Sequence, residues 1–455
     1  MMCNWSLSEL QAPLQAHLLG SDRTVVGVSI DSRSVRAGEL FVALRGEHFD
    51  GHAYLAQAER AGAVAALVST QCNSPLPLLT VHDTQKALGL LGAYNRHFFT
   101  GALVAITGSS GKTTVKNMVH AVLSQKACTL ATKGNFNNEI GVPLTLLELA
   151  PEHVFAVVEM GAARKGDIRA LVELGRPSVA VLLNAMPAHL ASFGSVQEVA
   201  RAKGEIFDGL ATGDVAVFNA DQPWAEQWRI RAGDARVLDF SLSRSAAVCA
   251  SAISINGMLG SDFVASTPLG DFRVSLQLPG RHNVVNALAA IAVGIACDIP
   301  VSDIQRGLHS VTPVTGRLAV TPALGGATLI DDCYNAQPGS VKAAVDLLAQ
   351  ADGTRTLVLG AMKELGPQSD ALHVEVAEYA KAAGLDQLWG VGEELRSATR
   401  AFGDGGRFFP DKYSAIECLV GVFGRGDTVL VKGSRSAGME SVVAAIASDK
   451  PVAGT

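Results

Sequence analysis

Thr107-Gly108-Ser109-Ser110-Gly111-Lys112-Thr113-Thr114 is the stretch on which the fold turns. It follows a short β-type run, Leu103–Ile106, and opens a helical pattern from Val115 onward. A glycine-rich turn between strand and helix aims backbone N–H groups at one point, where the positive end of the helix dipole also lies. Lys112 adds a cation, and Thr113 adds a hydroxyl suited to Mg²⁺. Such a cradle holds the phosphates of ATP or GTP. The spacing is shorter than the usual G-x-x-x-x-G-K-[ST], because Ile106 stands where the first glycine would be. The strand before, the helix after and the doubled threonine restore the signal. The competing reading is an ordinary Gly-Ser turn capped by a threonine.

The chain around this loop has 455 residues, too many for one core. At ~150 residues per domain, three domains are expected. Hydrophobic residues make up 48% and charged residues 18%, which describes globular units and excludes long disordered tails. The net charge is −6 and no basic block occurs, so nucleic acid is not an expected partner. No apolar run reaches the ~18 residues of a membrane span. The first six residues lack the basic-then-apolar layout of a secretion signal. Seven scattered cysteines without C-x-x-C read as reduced thiols, and the expected location is the cytoplasm.

Working outward, residues 1–84 form a first unit. Strand signals at Val25–Ile30, Leu40–Leu44 and Val64–Val68 flank a helix near Tyr54–Ala61. A helix over Thr84–Phe99 leads to the Leu103 strand. Residues 85–312 alternate strand and helix. Phe155–Val158 and Val179–Leu183 are continuous apolar runs, as strands covered on both faces should be. Asp167–Leu174 and Val196–Phe207 are the helices between. The alternation predicts a doubly wound, mostly parallel sheet. Arg236–Phe240, Val248–Ile255, Phe263–Ser266 and Phe272–Leu278 read instead as small antiparallel strands, before a helix over His282–Cys297. Residues 313–455 predict a third α/β unit. Its strands fall at Thr328–Ile330, Thr356–Leu359, Gln387–Val391 and Thr428–Val431, and its helices at 339–350, 371–383 and 437–447. The Pro- and Gly-bearing stretch Val311–Gly316 suits a hinge.

Several side chains could carry chemistry. Glu159 ends an apolar run, so its carboxylate falls at the C-terminal tip of a parallel strand beside the phosphate loop. With Thr113 it offers Mg²⁺ two hard oxygen ligands; the alternative is an acidic cap before Gly161. His189 follows the next strand at the same sheet edge. It either joins a second Mg²⁺, orients substrate or is structural. Lys203 lies between small residues on an amphipathic helix, where most lysines are simply solvated. Asn283 either reads an adenine edge or caps its helix. Arg317, at the hinge, could clamp a γ-phosphate when domains close. Asp332 could hold a ribose hydroxyl, and Lys432 and Arg435 add positive charge suited to a carboxylate.

Taken together, TGSSGKTT, the glutamate of VVEMGA, the lysine of AKGEIF, PGRHNVVNALAA, TGR and DDCYNA resemble the Mur ligase family, ATP-dependent amino-acid ligases of peptidoglycan synthesis. These segments keep the family's order along nearly the whole chain. Asp31-Ser32-Arg33, Gly38–Gly46 and Asp50-Gly51-His52 are similar to the uridine-binding domain of two members. One adds the third stem-peptide residue and the other adds D-alanyl-D-alanine. No D-N-P-R motif of the diaminopimelate-adding ligases occurs. Tyr334-Asn335-Ala336 and Gly360–Gly366 resemble the dipeptide-adding member, although Gln337 stands where that pattern carries asparagine.

The resemblance implies an α/β fold of three domains: a small uridine-binding unit (1–84), a central P-loop unit (85–312) and a Rossmann-like, dipeptide-binding unit (313–455). It implies a monomeric ligase that joins D-alanyl-D-alanine to UDP-N-acetylmuramoyl-tripeptide through an acyl phosphate, in cell-wall synthesis, cell shape and division. The third-residue ligase, a folylpolyglutamate synthase and a nucleotide-switched P-loop binding protein are the rivals. Gly108, Ser109, Ser110, Gly111, Lys112, Thr113 and Thr114 would bind ATP, with Asn283, Arg317 and Asp332 on the nucleotide. Thr113, Glu159, His189 and a carbamylated Lys203 would hold Mg²⁺. Lys112, Glu159, His189, Lys203 and Arg317 would be catalytic. Ser32, Arg33, Arg45, Asn135, Asn137, Asn138, Asn335, Lys432 and Arg435 would bind substrate.

Overall fold

A computed structural model describes residues 1–448, so the last seven residues of the third expected unit lie outside the described residues. The N-terminal part holds a five-stranded sheet in the order His17–Leu19, Leu78–Thr80, Ala65–Val68, Glu39–Val42, Gly27–Ser29. The expected strand Val25–Ile30 is divided. Thr24–Val25 pairs antiparallel with Trp5–Ser6, and Gly27–Ser29 pairs parallel with Glu39–Val42. Between them Val26 faces solvent while its N–H bonds to the Gly38 carbonyl, which turns the chain from one sheet to the other.

The helix Thr84–His97 is capped by Asp83, whose carboxylate accepts from the N–H groups of Gln85 and Lys86. Asn95, fully buried on this helix, donates to the carbonyls of Leu146 and Leu149 and accepts from Met2 N–H. One amide therefore ties the N-terminal part to the central one. A buried amide left unpaired would cost about 1–3 kcal/mol, so this joint is specific.

The central sheet has six strands, all parallel. Their order is Arg236–Val237, Val215–Phe218, Val179–Leu182, Ala102–Thr107, Phe155–Glu159, Thr129–Ala131. Ala102–Thr107 sits near the middle, and Leu103 through Thr107 are buried, which is why it reads as an unbroken apolar run. The stretch Arg236–Phe240 corrects the sequence reading. Arg236–Val237 closes the parallel sheet, and Phe240–Ser241 pairs parallel with Val248–Ile255. Leu238 is buried and its N–H continues the ladder to Ala216, so the run extends the central sheet rather than starting a hairpin. The remaining strands, Val248–Ile255, Ser261–Thr267 and Gly270–Leu276, are antiparallel as expected. The helix over Val196–Phe207 tightens into a 3₁₀ turn at Gly204–Phe207.

The C-terminal sheet runs Ala319–Pro322, Thr328–Asp332, Thr428–Lys432, Arg355–Gly360, Gln387–Val391, Gly406–Phe409. Its first pair is antiparallel and the others are parallel. Leu190 and Phe193 of the central part share one buried apolar cluster with Ile330, Ala336 and Val341 of this last part. That shared core holds the C-terminal tips of the two large sheets face to face. No helix among the described residues is long and apolar enough to cross a membrane.

Candidate functional site

The strand Ala102–Thr107 delivers the glycine-rich loop to the helix Lys112–Leu123. Gly111 begins that helix at φ +83°, and a Cβ there would lie 2.7 Å from Asn286 Oδ1, so both backbone and space demand glycine. Lys112 Nζ folds back onto the Gly108 carbonyl at 2.7 Å. Burial lowers its pKa, and the charge of Glu159 opposes that.

The neighbouring segment grips the loop from the other side. The Asn184 side chain accepts from Ser110 N–H at 2.9 Å and donates to the Ser110 carbonyl at 3.2 Å. Met186 N–H donates to Ser109 Oγ at 3.0 Å. Asn184 carries no sequence-assigned role; its place just after Val179–Leu182, at the same sheet edge as the loop, was the available signal.

Parallel register sets Glu159 opposite Ile106, one strand from the loop. Thr113 Oγ1 donates to Glu159 Oε2 at 2.8 Å, and Asn137 Nδ2 donates to Oε1 at 2.7 Å. Glu159 N–H donates to Thr132 Oγ1, while the buried Lys116 Nζ donates to the Thr132 carbonyl at 2.7 Å. Lys116, also without a sequence-assigned role, therefore anchors the segment that carries Asn135, Asn137 and Asn138.

Arg317 arrives from the far side of the Val311–Gly316 stretch. Its Nη2 donates to Thr113 Oγ1 at 3.0 Å, and its guanidinium lies 4.1 Å from the Tyr334 ring centroid. Asn283 donates to the Pro279 carbonyl and accepts from Asn286 Nδ2, so it secures the first turn of the helix Arg281–Ala296 while lining the cavity. Lys432 is not a free cation. Its Nζ bonds to Asp332 Oδ2 at 2.5 Å and to the Asn335 carbonyl at 2.9 Å. Burial pushes the Asp332 carboxyl up, against the pull of Lys432. His282 had no role from sequence either. Burial, then the Lys432 charge, press its pKa down to about 4.

Lys203 is 2% exposed and has neither ion pair nor hydrogen bond among the described residues. Burial, reinforced by Lys112, drives its pKa well below the ordinary lysine value. His189 stands near it and pairs through Nδ1 with Glu364. Burial lowers the His189 pKa, with Glu364 opposing.

These groups line one cavity of about 740 Å³ between the two large sheets. It brings together Ser109–Thr114, Asn135, Asn137, Asn138, Glu159, His189, Lys203, Asn283, Arg317, Asp332, Asn335 and Lys432. Ser32, Arg33, Arg45 and Arg435 are not on its wall. Arg33 pairs with Asp31 at 2.7 Å and Arg45 with Asp50 at 3.0 Å, both near the surface of the N-terminal sheet. Arg435 is exposed, 3.8 Å from Glu440.

Three segments match known domain families: residues 24–90 the Mur ligase family catalytic domain, 106–294 the Mur ligase middle domain, and 316–435 the Mur ligase glutamate ligase domain. The chain belongs to the Mur ligase family. This Mur ligase is 44% identical over 448 residues to the UDP-N-acetylmuramoyl-tripeptide–D-alanyl-D-alanine ligase of Escherichia coli K12, covering 98% of this chain and 99% of that protein. It is 33% identical to the protein of the same name from Bacillus subtilis 168, with 93% of each chain covered. In three dimensions it is similar to a crystal structure of MurF from Acinetobacter baumannii, with a TM-score of 0.92, 34% identity and coverage of 97% and 98%. MurF from Thermotoga maritima, solved in complex with ADP, matches with a TM-score of 0.82, 29% identity and coverage of 92% and 96%. The Mur ligase fold and the parallel central sheet expected from the phosphate loop are thus shown.

Proposed function

We propose that this Mur ligase joins D-alanyl-D-alanine to the terminal carboxylate of UDP-N-acetylmuramoyl-tripeptide at the expense of ATP, a step of peptidoglycan precursor synthesis. The observation that carries the reading is full-length similarity to ligases of that name in a chain whose phosphate loop and C-terminal sheet edge face one cavity. Residues 1–84 are assigned to the uridine nucleotide, 85–312 to ATP and 313–455 to the dipeptide. The working unit is taken to be a monomer in the cytoplasm.

In this reading the loop N–H groups and Lys112 hold the ATP phosphates, and Arg317 reaches across to the γ-phosphate. The tripeptide carboxylate attacks the γ-phosphorus, ADP leaves, and an acyl phosphate forms. The dipeptide amine then attacks the acyl carbon and phosphate departs with the electron pair of the broken C–O bond. Asn135, Asn137 and Asn138 line the cavity where the acceptor would run, with Asn137 held by Glu159 and Asn138 accepting from Gly141 N–H at the start of the next helix. The two faces shut water away from the acyl phosphate, which water would hydrolyse.

Magnesium fits the residues present. Glu159 and Thr113 already share a hydrogen bond through oxygens that can turn to a cation, and Mg²⁺ keeps most of its ligands as water and phosphate. Groups of three or more His, Cys, Asp or Glu at metal-ligand distance are absent among the described residues, consistent with so sparse a site. When bound, the ion neutralises phosphate charge. Lys203 fits carbamylation, since burial and the nearby Lys112 charge disfavour its ammonium form, and the free amine is the form that adds to CO₂. His189 would complete the second metal position.

The test is ATP-coupled phosphate release with UDP-N-acetylmuramoyl-tripeptide and each candidate amine. Release that requires both acceptor and D-alanyl-D-alanine supports the assignment, with Lys112→Ala abolishing it. Hydrolysis indifferent to the amine, or normal turnover in Lys112→Ala, refutes it.

A further inference from the structure

Two loops from different sheets meet beside Lys203, and each presents a residue with unusual backbone. His189 lies at φ +52° and Glu364 at φ +63°, left-handed conformations that side chains other than glycine adopt at a cost. Their side chains pair with each other, His189 Nδ1 to a Glu364 carboxylate oxygen. Ala191 N–H approaches the Glu364 carbonyl at 3.4 Å, so backbone joins side chain in the contact.

Both loops are firmly held on their own sides. The His189 carbonyl accepts from the N–H groups of Ser192 and Phe193, and Leu190 and Phe193 are sunk in the shared core. On the other side Met362 N–H donates to His373 Nε2 at 2.9 Å, and Lys363 N–H donates to Ser434 Oγ at 2.8 Å. The Lys363 ammonium pairs with Glu394. Strain at 189 and 364 is therefore imposed by two rigid supports, and the place where it is spent is the contact between them.

We propose that Glu364 is a positioning residue for His189. By accepting from Nδ1–H it fixes the tautomer and ring orientation that turn the Nε2 lone pair into the cavity, and it does so only when the C-terminal sheet is closed against the central one. A carboxylate behind an imidazole sets which nitrogen is free for a cation or substrate. Here that carboxylate comes from the opposite side of the cleft. Closure then does more than exclude water: it completes the catalytic constellation at His189. This inference rests on the reading of His189 under the proposed function.

The experiment uses the full-length protein labelled with ¹⁵N-histidine, free of magnesium and nucleotide, with the His189 signals assigned from a His189→Gln sample. In the wild type, His189 gives an Nδ1-protonated signature. In Glu364→Gly that signature is lost, while the melting temperature is not lowered, because glycine relieves the strained φ. Ligation by Glu364→Gly falls in kcat by about 10- to 100-fold, with the KM for ATP unchanged, and Glu364→Asp recovers part of the loss. An unchanged His189 signature in Glu364→Gly overturns the proposal, as does an altered signature with wild-type kcat. If the wild-type protein itself fails to ligate, the proposed function is what falls; the tautomer measurement still stands by itself.

Discussion

Lys203, at the end of a helix of the central part, and Lys432, on a strand of the C-terminal sheet, line the same cavity, and both are buried, at 2% and 3% exposure. Their surroundings differ completely. Lys432 is held by Asp332 and by the Asn335 carbonyl, so its charge is matched where it lies. Lys203 is buried with the like charge of Lys112 near it, and both disfavour its ammonium form. A buried charge persists when it is paired and changes its protonation state when it is not. One lysine therefore holds two strands of the C-terminal sheet together, and the other is available for chemistry.

The contrast breaks most visibly at Lys432. Lys432→Met leaves Asp332 buried without a partner, and we expect a loss of about 3–5 kcal/mol in denaturant unfolding. Adding Asp332→Leu removes the stranded charge and restores most of that loss. A single variant as stable as the wild type would show that the pair does not hold the sheet.

Lys203→Met should do the reverse. It replaces an unmatched amine with an apolar chain of similar length, so stability is kept or rises. Ligation falls by at least about 100-fold, roughly 2.7 kcal/mol of transition-state stabilisation. Loss of stability without loss of activity would reverse the two assignments.

His282 sharpens the comparison, since it senses the Lys432 charge from the helix Arg281–Ala296. Its folded pKa, about 4, lies below the ordinary 6.5, so the stability it contributes is present above pH 6.5 and is lost as pH falls toward 4. Between pH 7 and pH 5 the wild type should lose about 1–2 kcal/mol more than His282→Gln, by chemical denaturation at each pH. Equal losses would remove His282 from the account.

Arg33 marks the small end of the scale. Its pair with Asp31 is exposed and solvent-screened, so Arg33→Ala should leave the unfolding midpoint unchanged. The KM for the nucleotide-linked acceptor should rise about tenfold, the loss of one charge-assisted hydrogen bond. A KM unmoved in that variant would detach Arg33 from substrate binding.

The sequence by itself determined the phosphate loop, its strand and helix, and the parallel alternation around them. Those features are local: glycine at a positive φ, an apolar run buried on both faces, and a hydroxyl and cation at fixed offsets. Short edge strands such as Thr129–Ala131 and Gly406–Phe409 carried too few residues to show a period, and Arg236–Phe240 was misread because pairing partners, not composition, choose parallel from antiparallel. What only the tertiary structure decided is which buried polar groups have partners. No spacing shows that Lys432 meets Asp332 across 100 residues, that Arg317 reaches Thr113 across 204, or that Lys203 has no ion pair among the described residues. The free energy of a buried charge depends on the few ångströms around it, and those are supplied by segments far apart in the chain.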